Sequence, residues 1–399
     1  MKYNDLLSTR TEMIKFSKIN NITKLRQMKK YISLMCIVYI LSCNNNVGLI
    51  ENVYNEEIDL TKEEISVKID SNVSGIYSLM SAQLSSKETI IGYNYFLHML
   101  DVIDIVNDSA FQISLNKEGE NSIPIDPQGL HLSNMDSIWI YHHHVVYLID
   151  GKGHIKQKYS IPFYEGEFVQ IMTNYSISTT KFYFNKKRTS FFYLLKLNNN
   201  FFVREYFPEN GDVINYELEY SRVTQKSLDI YGWKQLPNVC FTENNIVYNY
   251  PFESNVYQID LLTKEKKSFG GKSRYTDNIA TEMQKSFNYE NAERHKLENI
   301  HFCEILYNEK FNIYYRLHFD KISYKTNNDP EALYNQKKIY LTVFDNNFSI
   351  IKETELESNV YNYHTGWVMT NNGLAIFHRE LQNPDTDNEL LKIDIIRPK

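Results

Sequence analysis

The sequence predicts an all-β fold, a single β-propeller of about six four-stranded blades whose ring is closed by a strand from near the N-terminus. Three observations lead there. Aromatic residues make up 14% of the 399 residues, with 31 Tyr and 22 Phe against 14 Gly and 9 Pro, a composition that suits half-buried strands and not a disordered chain. A pattern of strand, turn and strand recurs six times. The last copy ends one strand short, while an alternating segment near the start has no neighbour of its own.

The copies are apolar runs ending in Asp or Asn, each but the last followed by a polar turn and a second alternating run. They end at Asp104, Asp150, Asn198, Asp260, Asp345 and Asp394, spaced 46, 48, 62, 85 and 49 residues apart. Blades of ~40–50 residues with loop insertions give this spacing. Each copy reads as a hairpin with an Asx-type turn, so the repeated Asp side chains are expected to bond their own backbone rather than form an acidic ring. Two further candidate strands precede several hairpins, such as Gly129–Leu132 and Ser137–Tyr141 before the second copy. The sixth unit stops at its third strand, and Ile65-Ser66-Val67-Lys68-Ile69 alternates correctly to supply the fourth. A β-sandwich, or two β-domains with similar hairpins, is the alternative.

The N-terminus carries an address. The apolar run Tyr31–Leu41 follows Met28-Lys29-Lys30 and precedes Ser42-Cys43. Its eleven residues are too few for a membrane span, which needs ~20, but they fit the core of a secretory signal peptide. Ile40-Leu41-Ser42-Cys43 resembles a bacterial lipobox, in which the Cys is acylated and becomes the new N-terminus. The sequence therefore divides into 1–42, an upstream extension plus signal peptide with Met28 as the true start; 43–62, a lipid-anchored tether; and 63–399, the propeller. Beyond residue 42 the chain holds 35 basic and 47 acidic residues, a net of −12, which disfavours nucleic acid and anionic headgroups. Asn44-Asn45-Asn46 follow the lipid Cys where acidic residues would signal surface display, which leans towards the outer membrane. Cys240 and Cys303 sit in apolar runs and read as inert core thiols, with a disulfide as the lesser option.

The lipobox, the loop Leu115–Asn121 and the strand Met135–Ile140 together resemble the uncharacterised propeller lipoproteins of Bacteroidetes-type bacteria, the domain-of-unknown-function family 4221, likened to TolB-like six-bladed propellers. That resemblance implies a fold and an envelope address. It supplies no catalytic residues.

Candidate chemistry is sparse. His142-His143-His144 falls in a predicted turn with no carboxylate nearby to complete a metal site. His131, His301 and His364 lie towards inner strands, where histidines of different blades could converge on a metal; satisfied strand histidines, like His98, are the competing reading. There is no G-x-S-x-G, and Gly151-Lys152-Gly153 and Gly270-Gly271-Lys272-Ser273 read as turns rather than phosphate loops. The insertion 207–235 carries Tyr216, Tyr220, Tyr231 and Trp233, which would stack on a sugar or anchor a protein if exposed and cap the core if not. A polar stretch, 272–299, holds a possible helix from Thr276 to His295. The reading is an envelope lipoprotein, membrane-bound through its lipid, that binds an envelope protein or glycan; no cofactor is indicated beyond the lipid on Cys43. The alternative is a metal- or carboxylate-dependent hydrolase or lyase at the channel mouth. Mass spectrometry of the membrane-extracted protein is expected to show an acylated N-terminal Cys43, and an unmodified N-terminus upstream of it would refute the lipoprotein reading.

Overall fold

The computed structural model describes residues 48–399 apart from 71, 75, 76, 78, 84–87, 172–180, 199, 225–227, 284–287, 325–328, 359, 362–365 and 379–389. Residues 1–47, with the expected signal peptide and Cys43, and His364 lie outside the described residues.

Strand β1 (Leu60–Lys68) stands apart from the blade that follows it in sequence. The first blade is β2 (Met80–Ala82), β3 (Thr89–Asn94), β4 (Met99–Asp104) and β5 (Ser109–Ser114); the second is β6 (Gly129–Asn134), β7 (Ser137–His142), β8 (Val145–Ile149) and β9 (Ile155–Ser160). In the third, β10 (Glu167–Gln170) and β11 (Tyr183–Asn185) pair with successive parts of β12 (Ser190–Leu197), followed by β13 (Asn200–Tyr206) and β14 (Val213–Glu217). The fourth holds β15 (Asn238–Phe241), β16 (Asn245–Asn249), β17 (Val256–Asp260) and β18 (Lys266–Phe269), and the fifth β19 (His301–Asn308), β20 (Ile313–Phe319), β21 (Ile339–Phe344) and β22 (Ile350–Glu355). The sixth consists of β23 (Trp367–Thr370), β24 (Gly373–Phe377), β25 (Leu390–Pro398) and, as its outer strand, β1.

Ring closure takes the form the sequence predicts. β1 pairs antiparallel with β25 from Leu60↔Pro398 to Lys68↔Leu390, starting earlier than the expected Ile65. A single pair, Lys68↔Ser109, joins this blade to the first. The inner strands touch in sequence around the axis, β23 to β2, β2 to β6, β6 to β11, and β15 to β19 to β23, with Tyr183 of β11 stacked 5.6 Å from Phe241 of β15.

Burial follows from blades stacking on both sides of one another. The middle strands β3, β20, β21 and β24 are buried at every position, so they are mostly apolar and do not alternate, with Arg316 and His318 of β20 buried among them. Outer strands β1 and β9 have one wet face and are largely polar there. The hairpin Asp residues act as turn formers: Asp104 Oδ1 accepts from the Val106 and Asn107 amides, Asp260 Oδ1 from Leu262 and Thr263, and Asp345 Oδ1 from Asn347 and Ser349. Asp394 departs from this expectation. It lies inside β25, fully buried, because the chain runs on as strand to meet β1 instead of turning.

Residues 48–59, expected to be tether, are bound to the blades. The Gly48 amide donates to Arg222 O at 2.7 Å, Ile50 to Asn255 Oδ1 at 2.9 Å, and Ile58 to Ile351 O at 3.1 Å. This strap explains Gly270, and the β16–β17 turn with Arg316 explains Gly271; neither belongs to a phosphate loop. A Cβ at Gly270 would sit 2.4 Å from Glu51 O, and one at Gly271 would sit 2.4 Å from Ser254 O. The predicted helix is displaced to α1 (Tyr289–Glu298), where Asn288 caps it by accepting from the Asn291 amide at 2.8 Å.

Deleting residues 53–70 is expected to abolish cooperative thermal unfolding. Val67→Asp, at a position with no exposure, should cost at least about 3 kcal/mol by burying a carboxylate in the seam. Unchanged unfolding of the deletion would rule the closure out.

Candidate functional site

The inner strands are short, and where they meet around the axis they leave a central cavity of about 120 Å³ lined from all six blades. Met80, Leu130, Phe182, Tyr183, Phe241, Leu306, Val368 and Met369 make most of its wall apolar. Two charged groups face it, Lys181 just before β11 and Glu304 in β19, joined at 2.9 Å. Glu304 falls where a β-bulge between Phe302 and Ile305 breaks the two-residue alternation of β19. Burial raises the Glu304 pKa, while Lys181 and the Trp367 indole oppose the rise.

The remaining polar groups of the wall are held neutral. His131 is desolvated until its pKa falls to about 4, and its ring packs edge-on to Tyr183 at 5.0 Å. Burial lifts the Cys240 thiol to about 12 and the Tyr183 hydroxyl to about 12. At neutral pH these are an uncharged imidazole, a protonated thiol and a phenol, a set that offers hydrogen bonds and apolar surface but no poised nucleophile.

The other predicted residues scatter. His301 begins β19 but is buried away from the cavity wall, against Phe319, with its pKa driven down by burial and by Lys234 and Lys337. Among the described residues the one His, Cys, Asp and Glu group close enough to hold a metal ion is Glu64, His378 and Asp394, which includes neither His131 nor His301. There the Lys62 ammonium stands 3.5 Å from Asp394 Oδ2 and 2.8 Å from Glu357, and the Tyr361 hydroxyl donates to the same Asp394 oxygen. The Lys62 ammonium, the Tyr361 hydroxyl and His378 Nε2 at 2.8 Å already crowd the one Asp394 oxygen, so the donor set reads as structural.

His143 and His144 form the two-residue turn between β7 and β8 with φ of 42° and 67°, so the triple-His run is a tight hairpin turn and His142 and His144 share no extended face. His98 is satisfied by Tyr93 at 2.7 Å and Ile123 O at 3.0 Å. Cys240 and Cys303 are free thiols.

The aromatic insertion is corrected in two places. Tyr216 belongs to β14 and is buried, donating to Glu205 Oε2 at 3.0 Å. Tyr231 lies in a 3-10 segment, Leu228–Gln235, buried and stacked on Phe252 at 3.9 Å. Both rings cap the core, since the segment crosses a blade boundary where apolar area is available. Tyr220 remains exposed with its hydroxyl on Asn200, and Trp233 falls in the 3-10 segment, its side chain outside the described set. The sequence reading missed Lys181 and Glu304, because one precedes its strand and the other sits at a bulge.

An axial cavity framed by four-stranded blades defines a β-propeller. The chain belongs to the DUF4221 family, a domain of unknown function, whose pattern matches residues 56–355. A DUF4221 member from Bacteroides vulgatus has the same fold, with a TM-score of 0.72 at 20% identity over 86% of this chain and 99% of its own. A "Putative exported protein" from Bacteroides fragilis gives a TM-score of 0.50 at 11% identity over 87% of this chain and 99% of its own. Among curated proteins none matches the chain. The family resemblance drawn from the sequence is borne out.

Lys181→Met is expected to strand Glu304 as an unpaired buried carboxylate and to cost on the order of 3 kcal/mol at pH 7. Because the Glu304 pKa is raised, the folded state binds its proton more tightly than the unfolded chain. The deficit should therefore shrink as pH falls towards the unfolded value, and Glu304→Gln in the same chain should restore stability. Urea unfolding at two pH values measures both, and a deficit independent of pH would contradict the pairing.

Proposed function

We propose that this protein is a lipid-anchored β-propeller of the cell envelope that binds a small group of a larger partner in its central channel. The observation that carries the reading is the axial cavity of about 120 Å³, apolar around its wall and marked by one ion pair. At ~30 Å³ per water it has room for about four waters, well below the ~300 Å³ at which a pocket encloses a drug-sized ligand. It suits one side chain or ring projecting from an envelope protein or a glycan. The enzymatic alternative, a hydrolase or lyase at the channel mouth, has less support, since burial keeps the Cys240 thiol protonated and the one carboxylate of the wall, Glu304, is paired with Lys181.

The address rests on Ile40-Leu41-Ser42-Cys43 and is supported by the name of the Bacteroides fragilis neighbour. No helix of the described residues is long and apolar enough to cross a membrane. Asn44 after the lipid Cys favours the outer membrane.

Ala82→Phe would fill the channel from its wall without removing a polar contact. Crosslinking in cells with the tagged, lipidated protein is expected to capture a defined partner that Ala82→Phe loses at unchanged thermal stability, and that Cys43→Ala weakens. Equal capture by the plugged protein would exclude the channel as the binding site.

A further inference from the structure

Neighbouring strands in each blade run antiparallel, so the turn between the second and third strands and the link from one blade to the next fall on one face. The remaining hairpin turns fall on the other. On the first face the segments touch: the His143 amide donates to Gln128 Oε1 at 3.2 Å, Ile161 donates to His144 O at 2.9 Å, and the His144 ring stacks on Phe163 at 3.9 Å. His98 likewise ties the β3–β4 turn to the link after the first blade through Ile123 O.

This face is apolar where the opposite one is not. Tyr95, Phe96 and Leu97 form the tip of the β3–β4 turn, with Phe96 89% exposed, and on the same face Ile125 in the link after that blade and Phe163 and Tyr164 in the next link are about half exposed. The turn is built, not loose: Asn94 Oδ1 accepts from the Phe96 and Leu97 amides, and Tyr164 is held over Arg204 at 4.9 Å. Opposite, among the described residues, the large apolar side chains exposed at hairpin turns are Val106 in the first blade and Leu262 in the fourth. Large apolar side chains left exposed together on one face of a monomer point to an interaction surface.

The start of the strap selects the occupant. Gly48 is bound to Arg222 O in the link between blades three and four, and to the Asn255 side chain in the β16–β17 turn, both on this same face. Five residues of sequence separate Gly48 from Cys43, a reach of at most ~18 Å. We propose that this face lies on the lipid bilayer, with the Tyr95-Phe96-Leu97 tip inserted among the headgroups and Phe163 and Tyr164 at the interface. Aromatic side chains favour that depth, and insertion needs no basic patch, which suits a chain of net negative charge. The lipid supplies the anchoring and the aromatic tip fixes the orientation. The proposal rests on acylation of Cys43.

Phe96→Trp and, as the opposite-face control, Leu262→Trp report insertion at two exposed positions. Each is made in the full chain, extracted from membranes and reconstituted in zwitterionic phosphatidylethanolamine and phosphatidylcholine vesicles carrying bromine-labelled acyl chains. Emission is read as the difference from the parent. The expected result is a blue shift and loss of emission at position 96 with none at 262. Equal, unquenched emission at both positions in protein that co-floats with the vesicles overturns the proposal. Mass spectrometry of the same sample reads acylation separately, so a failure of anchoring is distinguished from a failure of the face. In that event the Cys43→Ala chain at high lipid decides, with quenching at 96 alone supporting the proposal and quenching at neither position overturning it. Loss of a protein crosslink in Phe96→Asp, without quenching by vesicles, would make the face a protein-docking surface and would also overturn it.

Discussion

Pairing of β1 with β25 is the constraint on which the rest of the ring depends. Five blades are made of strands close in sequence, but the sixth joins residues more than three hundred apart, from Leu60↔Pro398 to Lys68↔Leu390. Without it β25 would be a long apolar edge and β23 to β25 an incomplete sheet against the first blade. The pairing sets a local electrostatic problem as well, because Glu64 and Asp394 face each other in register. Like charges directly opposite destabilise a sheet. Lys62 at 3.5 Å and the Tyr361 hydroxyl, both on Asp394, offset that repulsion, which is why a buried carboxylate is tolerated in the strand.

The strap extends the same solution upstream. Before β1 begins, the chain has hydrogen-bonded to the link after the third blade, to Asn255 and Lys272 of the fourth and to Ile350 and Ile351 of the fifth. Behind it, Arg316 is fully buried between the rings of Phe302 and Phe344 and donates to Ser254 O at 2.7 Å and to Gly271 O. A guanidinium so placed satisfies carbonyls from the neighbouring blade, and glycine at 271 lets it approach. These contacts lie far apart in sequence, so they form after the loop-closure entropy of the chain has been met.

Much of the fold was legible because hairpins repeat a local signal. Period, Asx turns and the strand missing from the sixth unit are all read within single segments, and the last of these points to the closing segment. Asp394 was misread for an instructive reason. Its local pattern matches the other hairpin Asp residues, and only the distant arrival of β1 makes it a strand residue. Tyr216 and Tyr231 were open to two readings because ring exposure depends on whether a blade boundary lies beneath them. Lys181 and Glu304 escaped notice altogether, one outside its strand and the other within a bulge, while His301, at the start of β19, falls off the cavity wall. The candidate site is an assembly of residues from six blades, and periodicity within any one blade does not specify what its neighbours place opposite.

The closed ring also accounts for where the long segments of this chain lie. Hairpin turns on one face are tight and self-satisfied, as at Asp104, Asp260 and Asp345, and a longer loop there would forfeit those backbone bonds. Links between blades have no such restriction. The segment after β14 with its 3-10 turn, and the segment carrying α1, therefore project from the other face, together with the chain that starts the strap. A rigid ring thus separates a face of short turns from a face of long segments, and it is the second that can diversify without reopening the seam. The axial cavity belongs to neither, since its wall is fixed by the inner strands, and its shape changes only when the ring itself does.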